Sequence, residues 1–262
     1  MFAEERQQLI SALVTERGRV SVTELADRFS ITTETVRRDL AALEVSGNLR
    51  RVHGGAVPSD KLSTREESIQ ERAIKRKAEK LRIATAALAM IPDFSSGSVL
   101  LDAGSTTETL ADLLAQHPAA NGSDELVVIT NAMPIAGKLS TVAGISLQVL
   151  GGRVRGLTQA AVGQSTVEAA LRLRPDIAFI GTNGIHAGFG LSTPDPEEAA
   201  VKAAFVTSAR RVVALADSSK LDTETLVQFA TLKDVDTLIT DNEPPADLAA
   251  ALAEAGVDVV VA

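Results

Sequence analysis

Apolar residues between positions 20 and 57 recur at helical spacing in two short stretches. Ser21 and Glu24 have the spacing of a capping box, in which the hydroxyl accepts one backbone N–H and the carboxylate reaches back to another. This pattern predicts a first helix whose inward side chains are Leu25, Ala26 and Phe29. A turn is predicted at residues 30–32, and Thr32 suits the N-cap of a second helix. That helix carries one buried stripe formed by Val36, Leu40 and Leu43.

A basic hairpin is predicted to follow the second helix. Gly47 suits a left-handed helix terminus, and residues 48–53 followed by Gly54 and Gly55 predict a small two-stranded wing. A helix of this size fits the major groove of DNA, and an arginine guanidinium can bond guanine or phosphate through its planar fork. The pattern therefore favours double-stranded DNA as a partner. The predicted DNA-binding residues are Thr33, Thr35, Arg37, Arg38, Arg50, Arg51 and His53.

Two other interpretations of this region stay open at the sequence level. Surface arginines are ordinarily solvated or paired with a neighbour such as Glu34. A helical protein–protein adaptor would show the same helices, although it would not need the basic hairpin.

Seven short apolar runs alternate with helical patterns after position 98. They cover residues 99–101, 126–130, 147–150, 177–180, 212–216, 237–240 and 257–261. This rhythm predicts an α/β fold with a mainly parallel sheet. A charged and then apolar pattern from residue 68 to about residue 90 predicts one helix ahead of the sheet. Its basic residues 75–77 are more typical of a solvated helix face than of a phosphate contact.

Polar and glycine residues follow the runs, and ligands of open parallel sheets bind beyond the carboxyl ends of the strands. Glycine, hydroxyl groups and a helix N-terminus suit a phosphate, and amides and carboxylates suit sugar hydroxyls. The predicted effector-binding residues are Asp102, Gly104, Ser105, Thr106, Thr107, Thr130, Asn131, Gly152, Arg153, Gly181, Asn183, Gly184, Glu198, Lys202, Asp217 and Lys220.

Each of these clusters also has a purely structural interpretation. Residues 102–107 could cap a helix, residues 151–153 could form a glycine turn with an exposed arginine, and residues 181–184 could form a tight turn. Asp217 and Lys220 could pair locally. Glu198 and Lys202 lie four residues apart on a helix, so an ion pair within the helix is the expected arrangement.

The N-terminal motifs resemble those of the DeoR family of bacterial transcription regulators. The resemblance is carried by residues 24–26, 35–40, 43–44 and 51–56, and it continues along essentially all 262 residues. It implies a winged helix-turn-helix DNA-binding domain at residues 1–57, a linker at 58–67 and a phosphosugar-sensing domain at 68–262. It also implies a repressor of sugar-uptake or catabolic genes that a phosphorylated sugar relieves.

The sensor domain of this family resembles the ribose-5-phosphate isomerase scaffold, through residues 102–107, 130–131, 181–184, 198–202 and 217–220. Segments 181–183 and 190–193 are similar to repressors of fructose and sugar phosphotransferase genes, which makes fructose 1-phosphate the leading effector. The alternative is a phosphosugar isomerase-like enzyme with an appended DNA-binding head. The isomerases carry aspartates in the loop where this chain has Thr182 and Asn183, neither of which transfers a proton at neutral pH. Asp102, Glu198 and Asp217 remain as candidate bases, but no catalytic residue is expected.

Charge and composition refine this view. Lys and Arg number eight against eight Asp and Glu in residues 1–57, eight against five in 58–82, and ten against twenty-one in 83–262, so the net charges are 0, +3 and −11. Residues 35–57 hold four arginines against two acids, so the predicted reading surface is locally basic. One such head should bind weakly, which favours a homodimer or higher homo-oligomer on a palindromic operator.

The remaining expectations concern what the chain lacks. It has no cysteine, and its histidines at positions 53, 117 and 186 are widely separated, so neither a metal site nor a cofactor is expected. The longest apolar run, residues 83–91, is too short to span a bilayer, and the acidic start does not suit a secretory signal. The expected location is the cytoplasm, without membrane association.

Overall fold

The computed structural model describes residues 3–45, 49–52, 54–58, 64, 66–91, 97–116 and 125–262. The chain divides into two compact units, Met1–Arg65 and Glu66–Ala262. Most of the predicted linker at 58–67, together with Gly47, Asn48 and His53, lies outside the described residues. Among the described helices, none has both the length and the apolar character needed to cross a membrane.

The first unit contains three helices and a small sheet. Its elements are α1 (Ala3–Arg17), β1 (Val20–Ser21), α2 (Val22–Phe29), α3 (Thr33–Val45), β2 (Leu49–Val52) and β3 (Gly55–Pro58). The predicted stripe of α3 is confirmed, because Val36, Leu40 and Leu43 are buried against α1 and α2. The Thr32 hydroxyl accepts the Thr35 N–H at 3.2 Å, as predicted for an N-cap.

One detail of the predicted capping box is wrong. The Ser21 hydroxyl accepts the Glu24 N–H at 3.0 Å, but the Glu24 carboxylate accepts a hydrogen bond from Arg17 rather than reaching back to the cap. Ser21 belongs to β1, whose backbone is paired with β3. The strand thus orders the cap residue without help from Glu24.

The predicted wing is present and gains a third strand. β2 and β3 pair antiparallel, and β1 adds to the free edge of β3. Gly55 is required at this edge, because a Cβ atom there would lie 2.0 Å from the Val20 carbonyl oxygen. The wing therefore packs on the chain that enters α2.

The second unit is built around a parallel sheet. Its helices are α4 (Ile69–Ile74), α5 (Lys77–Leu88), α6 (Ser105–Gln116), α7 (Met133–Leu139), α8 (Gln164–Leu171), α9 (Pro196–Ser208) and α10 (Ala246–Ala255). Its strands are β4 (Ser98–Leu101), β5 (Leu126–Thr130), β6 (Ile145–Val149), β7 (Arg153–Arg155), β8 (Ala160–Val162), β9 (Ile177–Gly181), β10 (Gly184–His186), β11 (Gly190–Thr193), β12 (Val212–Leu215), β13 (Val227–Ala230), β14 (Thr237–Thr240) and β15 (Asp258–Val261). Short 3-10 helices cover Ser218–Lys220 and Leu232–Asp234.

All seven predicted core strands join one sheet in the order β15-β14-β12-β9-β4-β5-β6, and every pair in it is parallel. The predicted α/β class is thereby confirmed. Two apolar clusters, centred on Phe205 and on Phe179, cover the two faces of the sheet. The order of strands along the chain reverses between β4 and β9, which places a crevice at the carboxyl ends of these two strands.

The single helix predicted from residue 68 to 90 is wrong. The chain breaks into α4 and α5 at Lys75 and Arg76, and Arg76 adopts a left-handed conformation with φ of 52°. The Lys80 ammonium donates to the Arg72 and Lys75 carbonyl oxygens that the break exposes, the latter at 2.8 Å. Tertiary contacts, rather than helix propensity, fix this break.

Candidate DNA-binding surface and effector site

Helix α3 presents the predicted reading residues on its outer side. Thr33, Arg37 and Arg38 are exposed, and Thr35 is half-buried, with its hydroxyl 2.9 Å from that of Thr32. The Arg37 guanidinium lies 3.7 Å from Glu34, in an ion pair that remains open to solvent. No ion pair to Arg38 is formed by the described residues. Such exposed arginines are free to turn toward a phosphate or a base edge.

The wing adds two exposed arginines. Arg50 and Arg51 lie on β2, and the Arg51 backbone N–H donates to the Glu44 carboxylate at 2.8 Å. His53, also predicted to bind DNA, lies outside the described residues.

A buried ion pair fixes α3 within its unit. Arg6 Nε donates to Asp39 Oδ2 at 2.6 Å, and Gln7 donates to Asp39 Oδ1 at 3.0 Å. Asp39 is 4% exposed although it neighbours the exposed Arg38. The inward carboxylate holds the helix while the adjacent arginine faces outward.

The carboxyl ends of β4 and β9 carry a buried ion pair. Lys202 of α9 donates to Asp102, which follows β4, and to the Gly181 carbonyl oxygen at 2.9 Å. The Gly181 N–H donates to Asp102 Oδ2 at 3.0 Å. Burial raises the pKa of the Asp102 carboxyl group, and the charge of Lys202 opposes that rise. The crevice therefore has a fixed carboxylate and a fixed cation in its floor.

Glu198 lies one helical turn before Lys202 but does not pair with it. Its Oε1 accepts hydrogen bonds from Arg155 of β7 and from the Thr158 hydroxyl. Both members of the expected intrahelical pair thus bond to other elements, because β4, β7 and β9 converge on α9. Among the described residues, Oε2 of Glu198 accepts no hydrogen bond, which leaves it available to a sugar hydroxyl.

The N-terminus of α6 borders the same crevice. Gly104, Ser105 and Thr106 form the turn into the helix, where backbone N–H groups favour an anion. The Thr107 hydroxyl instead donates to the Gly104 carbonyl oxygen at 2.8 Å, and the Thr130 hydroxyl donates to the Leu101 carbonyl oxygen at 2.7 Å. These two threonines therefore order the loop.

Asn131 presents an unused acceptor. Its Nδ2 donates to the Ala161 carbonyl oxygen at 2.9 Å, whereas its buried Oδ1 has no hydrogen-bond partner among the described residues. A buried amide oxygen without a partner costs free energy, and a ligand hydroxyl would satisfy it.

Other predicted residues serve the framework. The Asn183 Oδ1 accepts from the Thr193 hydroxyl at 3.1 Å. A Cβ atom at Gly184 would lie 2.3 Å from the Thr223 carbonyl oxygen, and one at Gly152 would lie 2.1 Å from the Thr166 hydroxyl, so both glycines permit close packing. Arg153 is exposed and pairs with Glu197 on the surface.

The loop after β12 meets the break between α4 and α5. Asp217 accepts from the Ser219 N–H at 3.1 Å and lies 3.6 Å from the Arg76 guanidinium, rather than forming a local pair with Lys220. Arg76 also donates to the Ser218 hydroxyl at 3.0 Å. Burial lowers the pKa of the Lys220 ammonium. No ion pair to Lys220 is formed by the described residues, so its charge is available to an anion.

Several residues of this region give no functional signal in the sequence. Arg155, Thr158, Arg76 and Glu66 all bond side chains that are distant in sequence. The short segment around Arg155 gave no signal that would separate its inward arginine from the exposed Arg153. Such pairings become visible only once the hairpin of β7 and β8 is placed.

Comparison with known proteins supplies the family. Residues 6–61 match the DeoR-like helix-turn-helix domain, and residues 75–242 match the DeoR C-terminal sensor domain. An HTH-type transcriptional regulator named FruR from Bacillus subtilis (strain 168) is 34% identical, covering 93% of each chain. The glycerol-3-phosphate regulon repressor of Escherichia coli (strain K12) is 30% identical, covering 92% of each chain.

Among solved structures, ribose 5-phosphate isomerase A from Methanocaldococcus jannaschii aligns with 18% identity and a TM-score of 0.41, covering 56% of this chain and 55% of that one. The two domain matches together span nearly the whole chain, in the order in which the structure has its two units. The chain belongs to the DeoR family of DNA-binding transcriptional regulators.

Proposed function

We propose that this protein represses sugar-uptake or catabolic genes by binding a DNA operator, and that a phosphorylated sugar relieves the repression. The observation that carries this proposal is the group of Asp102, Glu198 and Lys202 beside the N-terminus of α6. Carboxylates and an amide suit the hydroxyls of a sugar. The helix N-terminus suits its phosphate, as does Lys220, to which no described residue forms an ion pair.

Fructose 1-phosphate is the effector we propose first. The similarity of residues 181–183 and 190–193 to repressors of fructose and sugar phosphotransferase genes supports a fructose derivative. The relative named for the glycerol-3-phosphate regulon supports a small phosphorylated ligand in general. The protein acts as a homodimer or a higher homo-oligomer in this proposal, because one small head with four outward arginines binds DNA weakly.

We further propose that the protein is not an enzyme. Proton transfer in an isomerase needs a base that can reach the substrate carbon. Asp102 is held by Lys202 and Gly181, and Asp217 is held by Ser219 and Arg76, so neither is free to do so. Glu198 has an Oε2 that accepts no hydrogen bond among the described residues, so it is the candidate base that a turnover assay must exclude. Incubation with pentose and hexose phosphates should give no turnover, whereas turnover at about 1 per second or faster would favour the isomerase alternative.

A thermal-shift screen of phosphorylated sugars tests the effector. A ligand that binds only the folded chain raises the melting temperature by mass action. Fructose 1-phosphate should raise it, whereas fructose and inorganic phosphate at the same concentration should not. The same sugar should release a DNA operator selected from random duplexes by the full-length protein.

Two matched variants localise the response. Lys220→Ala should weaken the effector response and leave operator affinity unchanged in the absence of sugar. Lys233→Ala removes an exposed lysine from the other 3-10 helix and should change neither. A normal dose response in Lys220→Ala would remove Lys220 from the site.

A further inference from the structure

Glu66 is a buried carboxylate at the very start of the second unit. Its side chain is 4% exposed, and its Oε2 accepts a hydrogen bond from Arg155 Nη1 at 2.9 Å. Its Oε1 is buried and has no hydrogen-bond partner among the described residues, and the Arg72 guanidinium lies 3.9 Å from it. Arg155 is therefore the main group that stabilises the negative charge of Glu66.

The same nitrogen of Arg155 also donates to Glu198 in the effector site. One guanidinium nitrogen thus bridges two buried carboxylates whose positions differ by 132 residues, and Asp195 lies 3.3 Å from the other terminal nitrogen. Burial, and the charge of Glu198, raise the pKa of Glu66. Because the two carboxylates share the positive charge of one guanidinium, a change at either one alters how tightly the other is held.

The backbone joins the same two segments. The Ile69 N–H donates to the Leu157 carbonyl oxygen at 2.9 Å, in the turn between β7 and β8. Ile69 is buried, and α4 begins there with a capping box formed by Ser68 and Glu71. Residues 66–71 are therefore fastened to the hairpin that carries Arg155.

We infer that Arg155 is a positioning residue that transmits occupancy of Glu198 to Glu66, the first residue after the DNA-binding unit. A sugar hydroxyl that donates to Glu198 withdraws part of its charge from Arg155. The interaction between Arg155 and Glu66 then strengthens. This changes how the segment that follows the DNA-binding unit, residues 66–71, is held against the hairpin of β7 and β8. This inference rests on the proposed function, since it assigns the route by which the effector acts.

A double-mutant cycle without effector tests the route. Glu198→Gln reproduces the loss of charge permanently, and Glu66→Gln removes the receiving carboxylate at nearly the same volume. Affinity for the operator selected by the wild-type protein is measured for the wild type, both single variants and the double variant. Glu198→Gln should lower operator affinity about fivefold or more in the wild-type background, and less than about twofold in the Glu66→Gln background.

Neighbouring residues provide the controls. Glu67→Gln and Glu197→Gln remove half-exposed carboxylates one position away and should leave operator affinity unchanged. Equal effects of Glu198→Gln in both backgrounds, or no effect in either, would overturn the inference. Circular dichroism verifies folding. Arg155→Lys, which keeps the charge but loses the fixed planar geometry of the guanidinium, replaces Glu66→Gln if that variant does not fold.

The cycle also separates this inference from the proposed function. It needs no sugar, so a wrong choice of effector would appear only in a parallel titration of the wild-type protein with fructose 1-phosphate. A normal release of operator by that sugar with an additive cycle would overturn the route alone.

Discussion

The charge of Lys202 stabilises the buried carboxylate of Asp102 in the candidate effector crevice. It is 4% exposed and contacts Asp102, which is 1% exposed, so each ion compensates the burial of the other. Burying an ion pair gains little free energy, but removing one partner leaves an uncompensated charge in a medium of low dielectric constant. The pair is therefore a weak source of stability and a strong constraint on substitution.

Lys202→Met should lower the free energy of unfolding at pH 7 by about 3 to 5 kcal/mol. Burial raises the pKa of the Asp102 carboxyl group and the charge of Lys202 opposes that rise, so as the pH falls the folded variant takes up a proton at a higher pH than the folded wild-type protein does. Its deficit relative to the wild type should then shrink. Because the chain has no Trp or Tyr, urea unfolding is followed by circular dichroism. Lys233→Met is the exposed control, and a deficit independent of pH would contradict the account.

Substitution of Arg38 tests whether α3 contacts DNA. It is exposed on α3 beside the buried Asp39, and no described carboxylate pairs with it. If the Arg38 guanidinium contacts a base edge, Arg38→Ala should weaken operator binding by about 1–3 kcal/mol and relax the base preference. If it contacts a phosphate, the substitution should instead reduce the slope of log affinity against log salt concentration by about 1. Titrations at several salt concentrations separate the two modes. Arg172→Ala, on the second unit, is the control, and an unchanged affinity would exclude Arg38 from the surface.

At the scale of elements, the core strands were predictable and the site hairpins were not. A parallel strand is buried on both faces, so it is a continuous apolar run such as residues 126–130. β10, β11 and β13 form a separate small sheet whose runs are short and interrupted by glycine or polar residues. The break at Arg76 is set by Ser218 and Asp217, which are more than 140 residues away. The polar residues at the ends of strands could therefore be predicted from the sequence, whereas their partners, which are distant in the sequence, could not.

Gly55→Ala tests the pairing of β1 with β3 in the wing. The new methyl group would overlap the Val20 carbonyl oxygen, so β1 must separate from β3. The free energy of unfolding of the first unit should fall by about 1–3 kcal/mol, and operator affinity should fall with it. Hydrogen exchange of residues 20–22 measures the separation of β1 from β3. Effector binding shows whether the second unit is unaffected. Gly54→Asn is the control, because Gly54 has a φ of 78° that asparagine tolerates and open space around it. Unaltered exchange in Gly55→Ala would contradict the wing geometry.

Across the whole molecule, charge is distributed unequally between the two parts of the chain. The net charge of residues 1–57 is 0 with its arginines gathered on α3 and β2, whereas residues 83–262 carry −11. Because the acidic part repels nucleic acid, we expect DNA to bind at the arginines of α3 and β2. The proposed function therefore requires coupling between the candidate effector residues of the second unit and the DNA-binding residues predicted in the first.

That coupling must be equal in both directions. If the effector lowers operator affinity by a given factor at equilibrium, the operator must lower effector affinity by the same factor, because both describe one free-energy difference. Calorimetry of the sugar against the free and DNA-bound protein, and fluorescence anisotropy of labelled operator with and without the sugar, supply the two factors under identical salt and temperature. Glu66→Gln should reduce both factors together, whereas Glu67→Gln should leave both at the wild-type value. Factors that Glu66→Gln left at the wild-type value would show that the coupling does not pass through Glu66. Unequal factors in the wild-type protein would show that one of the two titrations had not reached equilibrium.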